Sequence, residues 1–220
     1  MNIRQISYIS DLHLRAPILL RGSGSLFIAG DIGNPRSWGY RDFLYDHSDR
    51  WNNVYFTTGN HEYDNSRSRW LMDDTDRYIQ KIADTRANLH FVRPGQVYKM
   101  GNYSIIGGTL WTGTMYGETN RRFVEQSLFM KRFLEAGDPS TTIVMTHHLP
   151  SYRLILPQFR NYPNPGAWAS HSDYLLKYRI AAWICGHSHI QFDGIIENTR
   201  ILMNAEQKKY RNALTYFLEK

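Results

Sequence analysis

The chain has 220 residues, enough for one domain with a substantial core and no help from disulfides. Its 42% hydrophobic content excludes a disordered chain, and the single cysteine, Cys185, excludes an intramolecular disulfide. The 26 basic and 20 acidic residues leave +6, dispersed in pairs such as Arg121-Arg122 and Lys208-Lys209; this suits anionic partners but is a weak footprint for nucleic acid.

In chain order, apolar runs at 3–9, 26–29, 54–57, 103–106, 142–146, 181–185, 194–196 and 201–203 read as strands. Several are continuous Val/Ile/Leu/Phe stretches, as strands buried on both faces require. Between them, 38–45, 67–83, 119–135 and 172–177 carry helical periodicity. In the third, Phe123, Ser127, Met130 and Leu134 share a face, so it reads as a scaffold helix on a sheet. Alternating strands and helices imply an α/β layer fold, and no linker or repeat divides residues 1–220, so one domain is expected. The stretch 150–170 differs: Pro150, Pro157, Pro163, Pro165 and Gly166 punctuate it among aromatics and arginines, marking a long candidate lid loop. No run reaches a bilayer span and the apolar N-terminal run is too short for a secretory signal. A cytoplasmic chain without membrane insertion is therefore expected; the oligomeric state is not readable.

Five polar clusters follow predicted strands, where loops gather at one sheet edge and ligands bind. Asp11 and His13 end the first; in an extended stretch residues two apart point the same way and can grip one ion. Gly30-Asp31 ends the second, and a carboxylate with two oxygens is a natural bridge between cations. Gly59-Asn60-His61-Glu62 ends the third: Asn60 offers a neutral oxygen, His61 a proton, and Glu62 an anchor for the His61 ring. Thr146-His147-His148 and Gly186-His187-Ser188-His189 end two more. A lone histidine or a strand-end Asp is more often structural than a ligand. Five such strand ends in one chain are hard to explain that way.

Together these motifs resemble the calcineurin-like metallophosphoesterase superfamily, in its order and across residues 11–189. The resemblance implies a sandwich of two mixed β-sheets flanked by helices. It implies one metal held by Asp11, His13, Asp31 and His189, and a second held by Asp31, Asn60, His147 and His187, with His61 outside the cage as the catalytic histidine. Serine/threonine phosphatases of that superfamily carry Gly-Asp-x-Val-Asp-Arg-Gly. Here the stretch runs Gly30-Asp31-Ile32-Gly33-Asn34-Pro35-Arg36, and the Gly-His-Ser-His ending is closer to the phosphodiesterase and nucleotide-hydrolase branch.

The function so implied is hydrolysis of nucleotides or related small phosphodiesters, with hydroxide activated by two divalent ions. Mixed N/O ligation selects weakly: manganese is the first choice, with iron, zinc, nickel, cobalt and magnesium open. Alternatives are a phosphomonoesterase or protein phosphatase, a nuclease, and a metal-binding scaffold. Arg15, Tyr63, Arg67 and His148 follow ligand motifs and are candidate substrate contacts, each with a structural role as the alternative. Tyr152, Arg153, Phe159, Arg160, Tyr162 and Trp168 make the 150–170 loop suited to stacking a nucleobase or nucleic-acid strand, to a dimer contact or to covering the sheet. His47, His90 and His171 fit no motif, and Cys185 reads as core.

Overall fold

Successive strand residues face opposite ways, so a strand that is apolar throughout must be covered on both sides. The computed structural model, which describes residues 4–64, 69–112, 117–161, 163–205 and 212–218, does this by stacking two sheets between helices. The first sheet holds β1 (Arg4–Ile9), β2 (Ser25–Ala29), β3 (Asn53–Thr57), β4 (Leu89–Phe91) and β11 (Leu214–Leu218), in the order β11-β1-β2-β3-β4. Only β11 runs antiparallel to its neighbour. The second holds β5 (Tyr98–Met100), β6 (Tyr103–Gly108), β7 (Thr142–Thr146), β8 (Ala182–Cys185), β9 (Gln191–Ile196) and β10 (Thr199–Asn204), in the order β5-β6-β7-β8-β10-β9. Its antiparallel pairs are β5–β6 and β9–β10. Helices α1 (Trp38–Ser48) and α2 (Arg69–Ala83) flank the first sheet; α3 (Glu118–Ala136) and the short α4 (Asp173–Leu176) flank the second.

Alternation sorts the core into three layers. Ile28 and Phe56 meet Tyr40, Leu44 and Ile79 of α1 and α2. Their neighbours Phe27 and Tyr55 turn inward against Ile105, Met145 and Ile184 of the other sheet. Val144, Trp183 and Met203 face outward onto Met130, Leu134 and Leu149. Each such buried side chain contributes about 1.5–3 kcal/mol. At the start of α1, Ser37 accepts a hydrogen bond from the Tyr40 amide and caps the helix.

Three strands escape the sequence reading, for related reasons. β4 and β5 are three residues long and interrupted by His90 and Lys99. β11 is an edge strand with Phe217 half in solvent, so its apolar signal is thin. The 150–170 stretch is organised by 3₁₀ turns at Tyr152–Leu154, Pro157–Phe159 and Pro165–Ala167. Leu154 and Ile155 enter the outer core, Phe159 stacks on Trp168, and Arg153 pairs with Asp173 and Glu197. Its described residues pack over the outer face of the second sheet. Residues Arg67, Tyr162, Lys208 and Lys209 lie outside the described residues. Among the described residues, no helix is long and apolar enough to cross a membrane.

One buried guanidinium ties the helices of the two layers together. Arg122 of α3 donates to Asp73 (2.5 Å) and Asp76 (2.7 Å) of α2 and to Glu118 (2.9 Å). Removing it leaves the mostly covered Asp76 without its counter-charge, while Glu118 keeps Arg121. Arg122→Met is expected to cost about 3 kcal/mol, read as a fall in the urea midpoint with unchanged slope.

Candidate metal centre

Each candidate ligand stands just past the carboxyl end of a parallel strand: β1, β2, β3, β7 or β8. The turns that bring them together are unusual. Asp11 (φ 56°), His13 (φ 44°), Asp31 (φ 52°), His187 (φ 67°) and His189 (φ 53°) all adopt left-handed backbone, which costs a non-glycine residue about 1–2 kcal/mol. The expectation that Asp11 and His13 point the same way along an extended strand is therefore corrected. The chain past β1 coils, and the coil is held by amides of Asp11 (3.0 Å), His13 (2.9 Å) and Leu14 (2.8 Å) donating to carbonyls of Gly30, Asp31 and Ile32. Strain held by surrounding bonds is typical of functional sites.

The side chains form two groups about one shared carboxylate. In the first, Asp11 Oδ1 lies 3.2 Å from His189 Nε2, and His13 Nε2 lies 3.4 Å from the same atom. Asp11 Oδ2 faces away, accepting from the Ser10 hydroxyl (2.5 Å) and the His187 amide (2.9 Å). In the second, His147 Nε2 is 3.2 Å from Asn60 Oδ1, 3.2 Å from His187 Nδ1 and 3.3 Å from Asp31 Oδ2. Asp31 Oδ2 is also 3.7 Å from His13 Nε2 and 3.9 Å from His61 Nε2. That oxygen is buried and makes no hydrogen bond, while its partner Oδ1 accepts from the His61 amide at 2.9 Å.

The backbone settles which ring nitrogens are left for a ligand. His147 Nδ1 donates to the Ala29 carbonyl (2.8 Å) and His187 Nε2 to the Ala167 carbonyl (3.1 Å), since carbonyls only accept. The nitrogens that face each other therefore present lone pairs, beside an amide oxygen and a carboxylate oxygen. Four electron-rich atoms converging on a point are accommodated only by positive charge there. The field there favours positive charge: burial pulls the His147 pKa down, yet the charges of Asp31 and Asp11 outweigh it and push it up to about 10, so that a proton on Nε2 stands in where no cation is bound. Burial likewise raises Asp31, but His147 and the amide of His61 bring its net pKa well below the usual carboxylate range. The residues fit divalent cations, and the groups Asp11–His13–His189 and Asp31–His147–His187 each offer ligand atoms close enough to hold one.

His61 lies at the edge of the cage with Nε2 toward Asp31. Glu62 does not orient it, contrary to the sequence expectation. In the 3₁₀ turn of His61–Tyr63, residues three apart eclipse while the next residue points elsewhere. Asp64 thus accepts from His61 Nδ1 at 2.6 Å. Burial lowers the His61 pKa, but this bond and the Asp31 charge outweigh it and raise the net value. The buried Glu62 carboxylate instead accepts four backbone amides: Gly59 (2.7 Å), Ile32 (2.7 Å), Asp31 (3.1 Å) and Gly33 (3.3 Å). It bolts the β2 loop to the β3 loop. Burial and then the Asp31 charge push its pKa up against those amides.

Of the four substrate candidates, Arg67 lies outside the described residues and two of the other three are buried. Tyr63 is buried, its hydroxyl bonded to Thr58 and Asp76. His148 is buried beneath the His187 ring at 4.3 Å, with Nδ1 on the Thr109 carbonyl. Arg15 is exposed and lines an open cleft of about 1640 Å³ that begins at Asp11, His13, His61 and His189. The other walls come from 16–19, Arg21, 33–36 and α2, and no described residue of 150–170 lines it; that segment meets His187 through the Ala167 carbonyl and the Trp168 ring. Cys185 is buried core, and His47 is buried with Nε2 accepting from Leu20. His90 lies between Tyr55 and Tyr98, and His171 stacks on Tyr152.

The sequence model of calcineurin-like phosphoesterases matches residues 8–191. An uncharacterized protein of Acanthamoeba polyphaga mimivirus is 22% identical, the alignment covering 97% of this chain and 96% of that one. Among solved structures, a phosphopantetheinyl hydrolase from Mycobacterium tuberculosis superposes with a TM-score of 0.65 at 15% identity, over 93% of this chain and 90% of its own. A putative 5'-nucleotidase from Staphylococcus aureus gives 0.55 at 13% identity, over 99% of this chain and 54% of its own. Both likenesses are of fold.

The cage tolerates no bulk between its loops. A Cβ on Gly59 would sit 2.1 Å from Asp31 Oδ1 and 2.7 Å from the Asp31 amide nitrogen. Gly59→Ala is therefore expected to displace Asp31 and weaken Mn²⁺ binding about 10–100-fold, measured calorimetrically, while far-UV circular dichroism is unchanged.

Proposed function

Since this chain belongs to the calcineurin-like phosphoesterase family and is a metal-dependent phosphoester hydrolase, we propose that it cleaves small phosphodiesters, nucleotides among them, with a pair of divalent cations. Asp11, His13, Asp31 and His189 would hold one cation; Asp31, Asn60, His147 and His187 would hold the other. The observation that supports the pair is Asp31 Oδ2, a buried oxygen without a hydrogen bond that lies against imidazoles of both groups. Bound cations supply Lewis acidity to the phosphoryl oxygens and activate water at neutral pH. Manganese is the first choice, the donor set leaving iron, zinc, nickel, cobalt and magnesium open.

The chain's own groups then divide the remaining work. Asp64 keeps the His61 Nδ1 proton in place, so the Nε2 edge is presented to the cage. There His61 can hydrogen-bond a phosphoryl oxygen or hand a proton to the departing alkoxide. The cleft on the Arg15 side gives room for a second ester substituent, which favours diesters over monoesters. The phosphopantetheinyl hydrolase and the putative nucleotidase among the structural neighbours support phosphorylated small molecules as the substrate class. One catalytic domain over residues 1–220 in a cytoplasmic setting completes the proposal.

The test is a metal-reconstituted screen of bis-p-nitrophenyl phosphate, p-nitrophenyl phosphate, cyclic nucleotides and single-stranded DNA. Turnover of the diester with Mn²⁺, abolished by chelation and faster than that of the monoester, is expected. Inactivity on every compound with every divalent ion would sink the reading. His61→Ala should lower kcat about 10²–10⁴-fold at unchanged metal content by elemental analysis. Asp64→Asn should lower it less, about 10-fold.

A further inference from the structure

The cleft beside the cage carries charge and apolar surface that the cage itself does not use. Of its acidic lining residues outside the ligand set, Asp64 is bonded to His61, Glu62 to backbone amides, and Asp74 is paired with Arg36 and Arg77. Arg36 is spoken for twice, since its guanidinium also lies 4.8 Å over the Tyr78 ring. Two lining cations are left. Arg15 and Arg21 are exposed and make no hydrogen bond or ion pair among the described residues. Arg15 is two residues past His13, so its backbone is within about 7 Å of that ligand.

Between these charges the walls are apolar. Leu19 is 48% exposed and Leu71 of α2 is 50% exposed, and both line this cleft together with Pro17 and Ile18. Exposed leucines lining one concavity together with cationic groups that have no partner form the usual chemistry of a small-molecule site. Arginine is the side chain best matched to a phosphate.

Resting on the phosphoesterase reading, we propose that the cleft selects small esters carrying a second phosphate: the organic body lies against Leu19 and Leu71, and the second phosphate is held by Arg15 and Arg21. One phosphorus is presented to the cage and the other anchors the molecule. A nucleic-acid strand would need an extended basic track, and this cleft offers two cations beside a neutralised Asp74.

The experiment compares adenosine 3',5'-bisphosphate with adenosine 5'-monophosphate, which differ only in the second phosphate. Binding is followed by calorimetry on Mn²⁺-loaded His61→Ala chain, so that the readout is affinity rather than turnover. The bisphosphate should bind at least about 10-fold tighter, and adding Arg15→Gln with Arg21→Gln should bring the ratio to near one. Both substitutions are on the surface, and an unchanged melting temperature confirms folding. A ratio near one before those substitutions, or one that survives them, overturns the assignment. So does tight, steeply salt-dependent binding of a single-stranded oligonucleotide with no preference between the two nucleotides. Hydrolysis of bis-p-nitrophenyl phosphate by the wild-type chain, measured in parallel, separates the two readings. If it persists while the ratio is near one, the cleft assignment fails and the metal reading stands; if it and every other ester of the screen fail with every divalent ion, the metal reading fails whatever the ratio.

Discussion

Asp31 brings a carboxylate into the meeting point of two sheets, bonds one oxygen to the His61 amide, and leaves the other facing three imidazoles without a hydrogen bond. A buried charge treated in this way is normally costly by several kcal/mol. It becomes favourable only where positive charge occupies the space in front of it. The neighbouring donors obey the same logic. His147 and His187 spend one nitrogen each on a carbonyl and turn the other toward a shared point, where Asn60 adds an oxygen. The donors are thus oriented by bonds that the chain itself supplies, and the cost of orienting them falls on folding.

The fold meets that cost around the cage rather than in it. Left-handed backbone at five candidate ligand residues is held by loop-to-loop amide bonds, and the four amides gathered by Glu62 lock the loops that carry Asp31 and Asn60. Three apolar layers behind the strand ends supply the rigidity. Glu62 therefore acts through the position of Asp31, whereas Asp64 acts through the His61 ring. The two neighbouring carboxylates of one short turn serve separate tasks.

Much of the fold was legible because the strands that carry the site are continuous apolar runs: β2, β3, β7 and β8 are buried along almost their whole length. Edge strands such as β11 divide their faces between core and solvent and leave a weaker pattern. Candidate ligands were readable from residue type at strand ends, and the structure brings them together. Their geometry was not readable, because strand alternation does not extend into a left-handed coil held by another loop. Adjacency misled at Glu62: it is next to His61 in the chain, yet a 3₁₀ turn brings the third residue round to the ring instead. The signal for Asp64 was present in that spacing. For Tyr63 and His148, nothing local reveals burial; Asp76 and Trp111, which pack against them, are distant in sequence. The carbonyls of Ala29 and Ala167 that fix two tautomers leave no trace in residue type.

The central claim is that one carboxylate serves two cation sites, and it is tested most directly by counting ions. Calorimetric and elemental titration with Mn²⁺ should give two ions per wild-type chain. Asp31→Asn keeps the shape, the bond to the His61 amide and the surrounding loops, but removes the charge both sites share, so it should weaken both together. A single ion on the wild-type chain, or an Asp31→Asn chain that keeps one site at undiminished affinity, would contradict the account.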